Sequence, residues 1–488
     1  MTRGAVARAG GAVARASGVA RARTGSRTVA CAAGRARVVD ASLGARARSE
    51  RLAGLEYARR ASEPSAFEER GFGDADAAEA LTRAMRVQWT HGFASAPTGF
   101  PRCTHGFGEI LAGMQPAACD MILREVLSEA TSVMDPFAGG GTTLVCAQTL
   151  GMRAVGTDVS PLACFVSAHR CWRPSEETVE MMLMRAKAAR DVAKASTEEV
   201  GEIESEGEGD AGVPRAWRRI RDALRASDAS AGDARVAEAL WFCMSVALQR
   251  TQKSQNKARA RKSKGKKSGS HRSEDNADTF LKVVEEYADR LRQFREECAL
   301  NEPQAPEAEI YNVDVRKFRL ADEKRVDAVL TSCPYPAVYD YLSFARKVRA
   351  GSGAVVSTST SATDDGPTSS YVRTVVPGDR NWPKEWMEGE IGSRRALRAD
   401  PHAFRAAWQR EQEEWLEVVA HSLNPHGRAC IMVGDGANID TRASIVAAAE
   451  KFGLRALAGC TMKLTTTTES GAVYNQARTE HLILFEKP

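Results

Sequence analysis

Two short segments carry the residue types from which chemistry can be built. The first, Asp135-Pro136-Phe137-Ala138-Gly139-Gly140-Gly141-Thr142-Thr143, follows an apolar pair, Val133-Met134, and runs into a helical pattern that continues through Gln148. Glycines between a strand and a helix let a ligand approach the main chain closely, because no Cβ intervenes. A phosphate-binding loop is one reading. No Lys stands beside Thr142, so the Walker-type signature fails, and the spacing is not G-x-G-x-x-G. Further on, Ala154-Val155-Gly156 reads as a strand ending at Asp158. A carboxylate there can accept both hydroxyls of a ribose. It can equally be an acid favoured by the dipole of the helix that Ser160 and Pro161 open.

The second segment is Thr331-Ser332-Cys333-Pro334-Tyr335, followed by Val338-Tyr339-Asp340-Tyr341. Taken alone it is a strand-ending turn. Its place downstream of a glycine loop and a strand-end acid gives it a chemical reading.

Together the two segments resemble the amino-group DNA methyltransferases, the enzymes of cytosine N4 and adenine N6. The likeness covers roughly residues 90–170 and 305–488 and implies a Rossmann-like class I methyltransferase fold with S-adenosylmethionine as cofactor. On that resemblance Asp135, Phe137, Gly139, Gly141 and Thr142 cradle the methionine moiety, Asp158 holds the ribose, and Asp314 contacts the adenine amino group. Ser332 to Tyr335 resembles the family's catalytic Ser-Pro-Pro-Tyr turn. An aromatic amino group is a poor nucleophile, because its lone pair is delocalised into the ring. Two acceptors on its hydrogens favour the tetrahedral nitrogen that attacks a methyl sulfonium. The resemblance assigns these roles to the Ser332 side chain and the Cys333 carbonyl, with Pro334 shaping the turn and Tyr335 stacking on a flipped base. Transfer is direct, with no metal.

Cys333 stands where the family has its first proline. The carbonyl survives that change, but the fixed φ does not, so the turn is expected to be less preorganised. A thiol nucleophile of the C5-cytosine type is disfavoured, because there the Cys follows a Pro and Cys333 precedes one. Weaker matches are Thr104-His105 through Pro116, Asn424 to Asp435, and Arg478 to Leu482; His105 and His481 read as structural. Ser at 332 leans toward cytosine N4 of DNA. An RNA base methyltransferase of the same fold and a non-catalytic nucleic-acid-binding relic are the alternatives.

The elements that must position these residues alternate between strand and helix. Strands are expected at 309–314, 326–332, 427–435, 454–464 and 480–486, with helices after Ser160, from Phe404 to near Leu423, and over 439–452. That rhythm implies an α/β architecture with a mostly parallel central sheet, helices on both faces, and ligands at the strand carboxyl ends. Residues 173–304 break it as a largely helical insertion. Its acidic run (Glu198 to Asp210) and basic run (Lys253 to Arg272) lack apolar residues and are expected to be flexible. The basic run reads as a solvated linker before a phosphate contact. Residues 349–380 read as a long loop.

The division expected is a transit peptide over 1–39, a helical extension over 40–88, methyltransferase parts at 89–172 and 305–488, and the insertion between them. Residues 1–39 hold eight Arg, twelve Ala and no acid, a transit-peptide pattern. Val29-Ala30-Cys31-Ala32 resembles a stromal processing site, favouring the chloroplast over the mitochondrion. The net charge is +5, and without those eight Arg it falls to −3. Global charge thus gives no support for nucleic-acid binding. The 43% hydrophobic share suffices for a core. No stretch approaches a membrane span, and the eleven Cys show no C-x-x-C pair, so neither a membrane nor a metal is expected.

Overall fold

Strands whose apolar residues point to both sides must be covered on both sides. The computed structural model shows what covers them. It describes residues 67–91, 100–108, 110, 113–195, 215–228, 233–263, 276–301, 304–341, 388–464 and 479–488.

The described chain opens with β1 (Phe67–Gly73) and α1 (Ala75–His91). Next come α2 (Pro116–Met121), prolonged by a π-helical turn over Ile122–Val126, and β2 (Ser132–Asp135). They lead to α3 (Thr142–Thr149), β3 (Arg153–Asp158) and α4 (Pro161–Arg170). The insertion supplies α5 (Glu176–Ala195), α6 (Arg215–Asp228), α7 (Ala234–Ser263) and α8 (Asn276–Cys298). Then follow β4 (Glu309–Asn312), β5 (Val326–Ser332), α9 (Arg394–Ala399) and α10 (Phe404–Ser422). The chain closes with β6 (Leu423–Gly434), α11 (Thr441–Glu450), β7 (Arg455–Leu464) and β8 (Thr479–Glu486).

The strands form one sheet in the order β1-β7-β8-β6-β5-β2-β3-β4. Strands β2 to β6 run parallel to one another. β8 is antiparallel to both β6 and β7, and β1 closes the edge antiparallel to β7. Val133, Ala328, Leu330, Cys430 and Met432 pack with α1 to α3 in one core. Their alternates Met134, Val329, Ala429, Ile431 and Val433 pack with α10 and α11 in another. The insertion has its own core around Phe107, Phe242, Phe280 and Tyr287. This is the expected α/β architecture, mostly parallel and covered on both faces. Among the described residues no helix is long and apolar enough to cross a membrane.

Two expectations are corrected. Residues 67–73, placed in a helical extension, form β1; a short edge strand is made by its ladder to β7, which a local pattern does not carry. The basic run was expected to be flexible from Lys253, but α7 continues through Ser263. Its first turns are packed in the insertion core, so the polar end has only to propagate a helix already nucleated. The rest of that run, the acidic run, residues 1–39 and the 349–380 loop lie outside the described residues.

Phe404, Trp408, Trp415 and Val419 are all buried on one side of α10, as their spacing implies. Trp415 donates to Gln412 Oε1 at 2.8 Å and lies edge-on to Phe137 of the glycine loop, with ring centroids 5.2 Å apart. Trp415→Ala is expected to lower the unfolding free energy by about 3–5 kcal/mol, read by urea denaturation. A negligible loss would show that this face of the sheet does not depend on the ring.

Candidate active site

From β2 the chain steps outward through β3 and β4, and from β5 it steps the other way through β6. A sheet that reverses its strand order in this way leaves a crevice beyond the carboxyl ends of the two strands at the switch. β2 carries the glycine loop and β5 carries the Ser332 turn. The order β4-β3-β2-β5-β6 therefore sets Asp314, Asp158, the glycine loop, Ser332 and Gly434 on successive strand ends, spaced by about 4.8 Å per strand.

One hydrogen bond joins the two segments: Thr331 Oγ1 donates to Asp135 Oδ1 at 2.6 Å. The same carboxylate oxygen accepts the Phe137 N–H at 3.1 Å. Asp135 is 4% exposed, and burial pushes its carboxyl up to about 6 against the pull of these bonds. Asp158 ends β3 and ties down the loop from the other side. Its Oδ2 accepts the Gly139 N–H at 2.9 Å and its Oδ1 the Ser160 N–H at 2.8 Å. Burial raises this carboxyl to about 6 as well, with Asp135 adding a smaller push. Ser160 caps α4 through Ala163 N, as its position implies.

The three loop glycines are not equivalent. Gly139, at φ +51°, has only ordinary contacts where a Cβ would stand, so its surroundings are roomy. Gly140 is crowded by the Arg170 guanidinium, and Gly141, at φ +75°, by Ser167. Gly141 begins α3, with Thr142 half-buried as its first residue. Asp314 follows β4 and caps the short turn Val315–Lys317. Its carboxylate clasps Arg316, with Nη2 to Oδ2 at 2.8 Å and Nε to Oδ1 at 3.0 Å. The adjoining Asn312 donates to the Asp158 carbonyl at 2.9 Å.

Along the second segment, Ser332 and Pro334 are half-buried, while Cys333 and Tyr335 are buried. The Cys333 N–H donates to the Met432 carbonyl at 3.1 Å. Burial pushes its thiol well above the ordinary range, so no thiolate is on hand at neutral pH. Tyr335 is 8% exposed and donates its hydroxyl to Glu480 Oε1 at 3.0 Å. Its ring lies against Gly434, where a Cβ would come 2.5 Å from Cε2. Tyr339 and Tyr341 are half-buried, with ring centroids 5.4 Å apart.

Thr331, Glu480 and Gly434 lie within segments singled out in the sequence, but their contacts were missed, because each is made across strands distant in the chain. Only Thr331 gave a signal, as the residue pointing opposite to Ser332 on one strand. His481 bridges Thr461 at 2.9 Å and Asp435 at 3.2 Å. His105 gives its carbonyl to Arg290 at 2.8 Å. Both occupy structural positions.

No family model matches the chain, and no curated protein does. Two solved structures of the rRNA methyltransferase AviRa from Streptomyces viridochromogenes superpose on it. One shares 10% identity at a TM-score of 0.28 and covers 78% of this chain and 87% of its own. The other shares 12% identity at a TM-score of 0.29 and covers 78% and 89%. Superposition at that level decides nothing about this chain; its own sheet order does. The parallel strands, the reversal between β2 and β5, and β8 running antiparallel between β6 and β7 make a Rossmann-like α/β fold.

The two raised carboxyls have a pH signature. Their folded pKa values of about 6 exceed the ordinary 3.8, so the folded state holds more protons than the unfolded chain between those values. Their contribution to stability is full below about pH 4 and is lost as pH rises through 6. Melting temperatures of the wild type and of the Asp135→Asn/Asp158→Asn double variant should therefore diverge, the wild type gaining on the variant as pH falls from 7.5 to 5.5. Parallel curves would mean that the carboxyls titrate as they do in water.

Proposed function

We propose that this chain is an S-adenosylmethionine-dependent methyltransferase acting on the exocyclic amino group of a nucleic-acid base, cytosine N4 of DNA in the first instance. The observation that carries the reading is the Thr331–Asp135 hydrogen bond. It holds the glycine loop beside the Ser332 turn, as adjoining cofactor and acceptor subsites require. The residues fit the cofactor: Gly139 leaves room for a close approach. Asp158 is an acceptor whose oxygens, each bonded once to the main chain, retain lone pairs for a ribose diol.

Bound there, S-adenosylmethionine supplies a methyl group made electrophilic by its sulfonium. Asp135, Phe137, Gly139, Gly141 and Thr142 would hold its amino-acid moiety, Asp158 the ribose and Asp314 the adenine. Ser332 Oγ and the Cys333 carbonyl accept hydrogen bonds from the base amino group and turn its lone pair toward the methyl. The donor would supply only the methyl, its sulfur keeping the electrons of the carbon–sulfur bond, and the proton lost from the base nitrogen would pass to solvent. Positioning supplies most of the rate. Tyr335, fixed by Glu480 and Gly434, forms the wall against which the base rests. The segment before Asp40 directs the protein to the chloroplast; a fluorescent fusion of residues 1–39 that stayed in the cytosol would reject that.

The test is to incubate the protein with methyl-labelled S-adenosylmethionine and DNA or RNA, then identify the labelled nucleoside by mass spectrometry. N4-methylcytosine in DNA is expected. Label in RNA alone would move the substrate to RNA, and no label despite cofactor binding would reject catalysis. Ser332→Ala should lower the transfer rate by at least about 100-fold, the scale of losing a group that acts on the reacting atom. Its cofactor affinity, measured by calorimetry, should stay unchanged.

A further inference from the structure

Arg170, the last residue of α4, is 5% exposed, yet no carboxylate among the described residues pairs with it. A buried cation is tolerated only when its donors are satisfied. Arg170 places all of its contacts on carbonyls. Nη1 donates to Gly140 at 2.7 Å, Nε to Phe107 at 2.8 Å, and Nη2 to Gly108. One guanidinium thus joins the glycine loop to the segment 104–108.

That segment is locked to the insertion. The Phe107 ring stacks on Tyr287 of α8 at 4.7 Å and meets Phe242 of α7 edge-on at 5.3 Å. The guanidinium groups of Arg250 and Arg290 lie over it at 5.6 and 5.4 Å. Arg290 also holds the His105 carbonyl at 2.8 Å, and Tyr287 the His169 carbonyl at 2.8 Å. Thr104 Oγ1 returns to the Arg170 carbonyl at 2.6 Å. The contacts run unbroken from α7 and α8 through Phe107 to Arg170 and Gly140. Gly140 neighbours Gly139, the roomy position of the loop, and its peptide has no side chain of its own to hold it.

We infer that Arg170 is a positioning residue for the cofactor loop, and that through it the helical insertion sets the affinity for S-adenosylmethionine. This rests on the reading of the glycine loop as the cofactor cradle. The guanidinium reaches three carbonyls in two segments through three separate nitrogens of a rigid planar fork, a spread that the single nitrogen of a lysine does not reproduce. Loosening it frees the Gly140 peptide to rotate, so the cradle is formed for only part of the time and the apparent affinity falls by that fraction.

Arg170→Lys keeps the charge and is the variant to make, with Phe107→Leu as a second that leaves Arg170 in place and weakens its anchor. Calorimetric titration with S-adenosylmethionine should show an affinity loss of about tenfold for Arg170→Lys and a smaller loss for Phe107→Leu, in proportion to the cradle population each forfeits. KM for the cofactor should rise in step while kcat at saturation changes much less. Hydrogen exchange gives a second readout: cofactor should slow amide exchange in 104–108 and α8 of the wild type, and fail to do so in Arg170→Lys. Wild-type affinity in both variants, or a loss of thermal stability with unchanged affinity and exchange response, would overturn the inference. If Arg170→Lys does not fold, unchanged affinity in Phe107→Leu suffices to overturn it. Absence of S-adenosylmethionine binding by the wild type would reject the cofactor reading itself.

Discussion

A carboxylate drawn out of water needs donors or must be neutralised, and the strand-end region is organised around two acids, Asp135 buried and Asp158 half-buried. Asp135 draws its donors from the next strand of the sheet and from its own loop; Asp158 draws them from the glycine loop and from the start of α4. Glycine loses more conformational freedom on ordering than any other residue. A run of three therefore needs fixed partners if it is to present one shape. The two acids supply them from either side, and that is why the loop, β3, α4 and β5 meet in one arrangement. The same burial that makes the acids effective anchors raises their pKa values, so anchoring and proton affinity are two faces of one constraint.

What was legible in the sequence was local. The strand–loop–helix run at 133–149, the Ser160 cap, the Ser332 turn and the aromatic stripe of α10 are each written within about twenty residues, and each stands where its pattern puts it. What was illegible was made by pairing. β1 is a strand because β7 offers it an edge, and the end of α7 is helical because a packed helix precedes it. Arg170, Thr331 and Glu480 look like ordinary polar residues in sequence. Their partners lie 30, 196 and 145 residues away, and no periodicity reports a contact of that reach.

The insertion also changes character once its contacts are known. In sequence it only interrupts an α/β rhythm, as a largely helical stretch. In the structure its aromatic core takes in Phe107 of the 104–108 segment and Phe165 and Val166 of α4, both of which Arg170 ties to the glycine loop. A bundle that shares residues with the site it adjoins cannot move as an independent body without disturbing that site. A displacement of the insertion would therefore be felt at the glycine loop, through packed side chains and not through a hinge.

Cys333 is where local and distant constraints trade places. A proline there would preset φ by its own ring, and its absence pointed to a looser turn. Proline, however, has no N–H, and it is the Cys333 N–H that bonds the Met432 carbonyl of β6. The backbone ladder between β5 and β6 thus runs one residue further than a proline would allow. Downstream, the Tyr335 hydroxyl reaches Glu480 of β8, and the Ala337 N–H reaches the Gly392 carbonyl at 2.8 Å. The turn is held by three neighbours in place of one ring, and its carbonyl at Cys333 keeps a defined direction. The fixed φ that a proline would bring is absent, and these bonds from β6, β8 and Gly392 tie the turn in its stead.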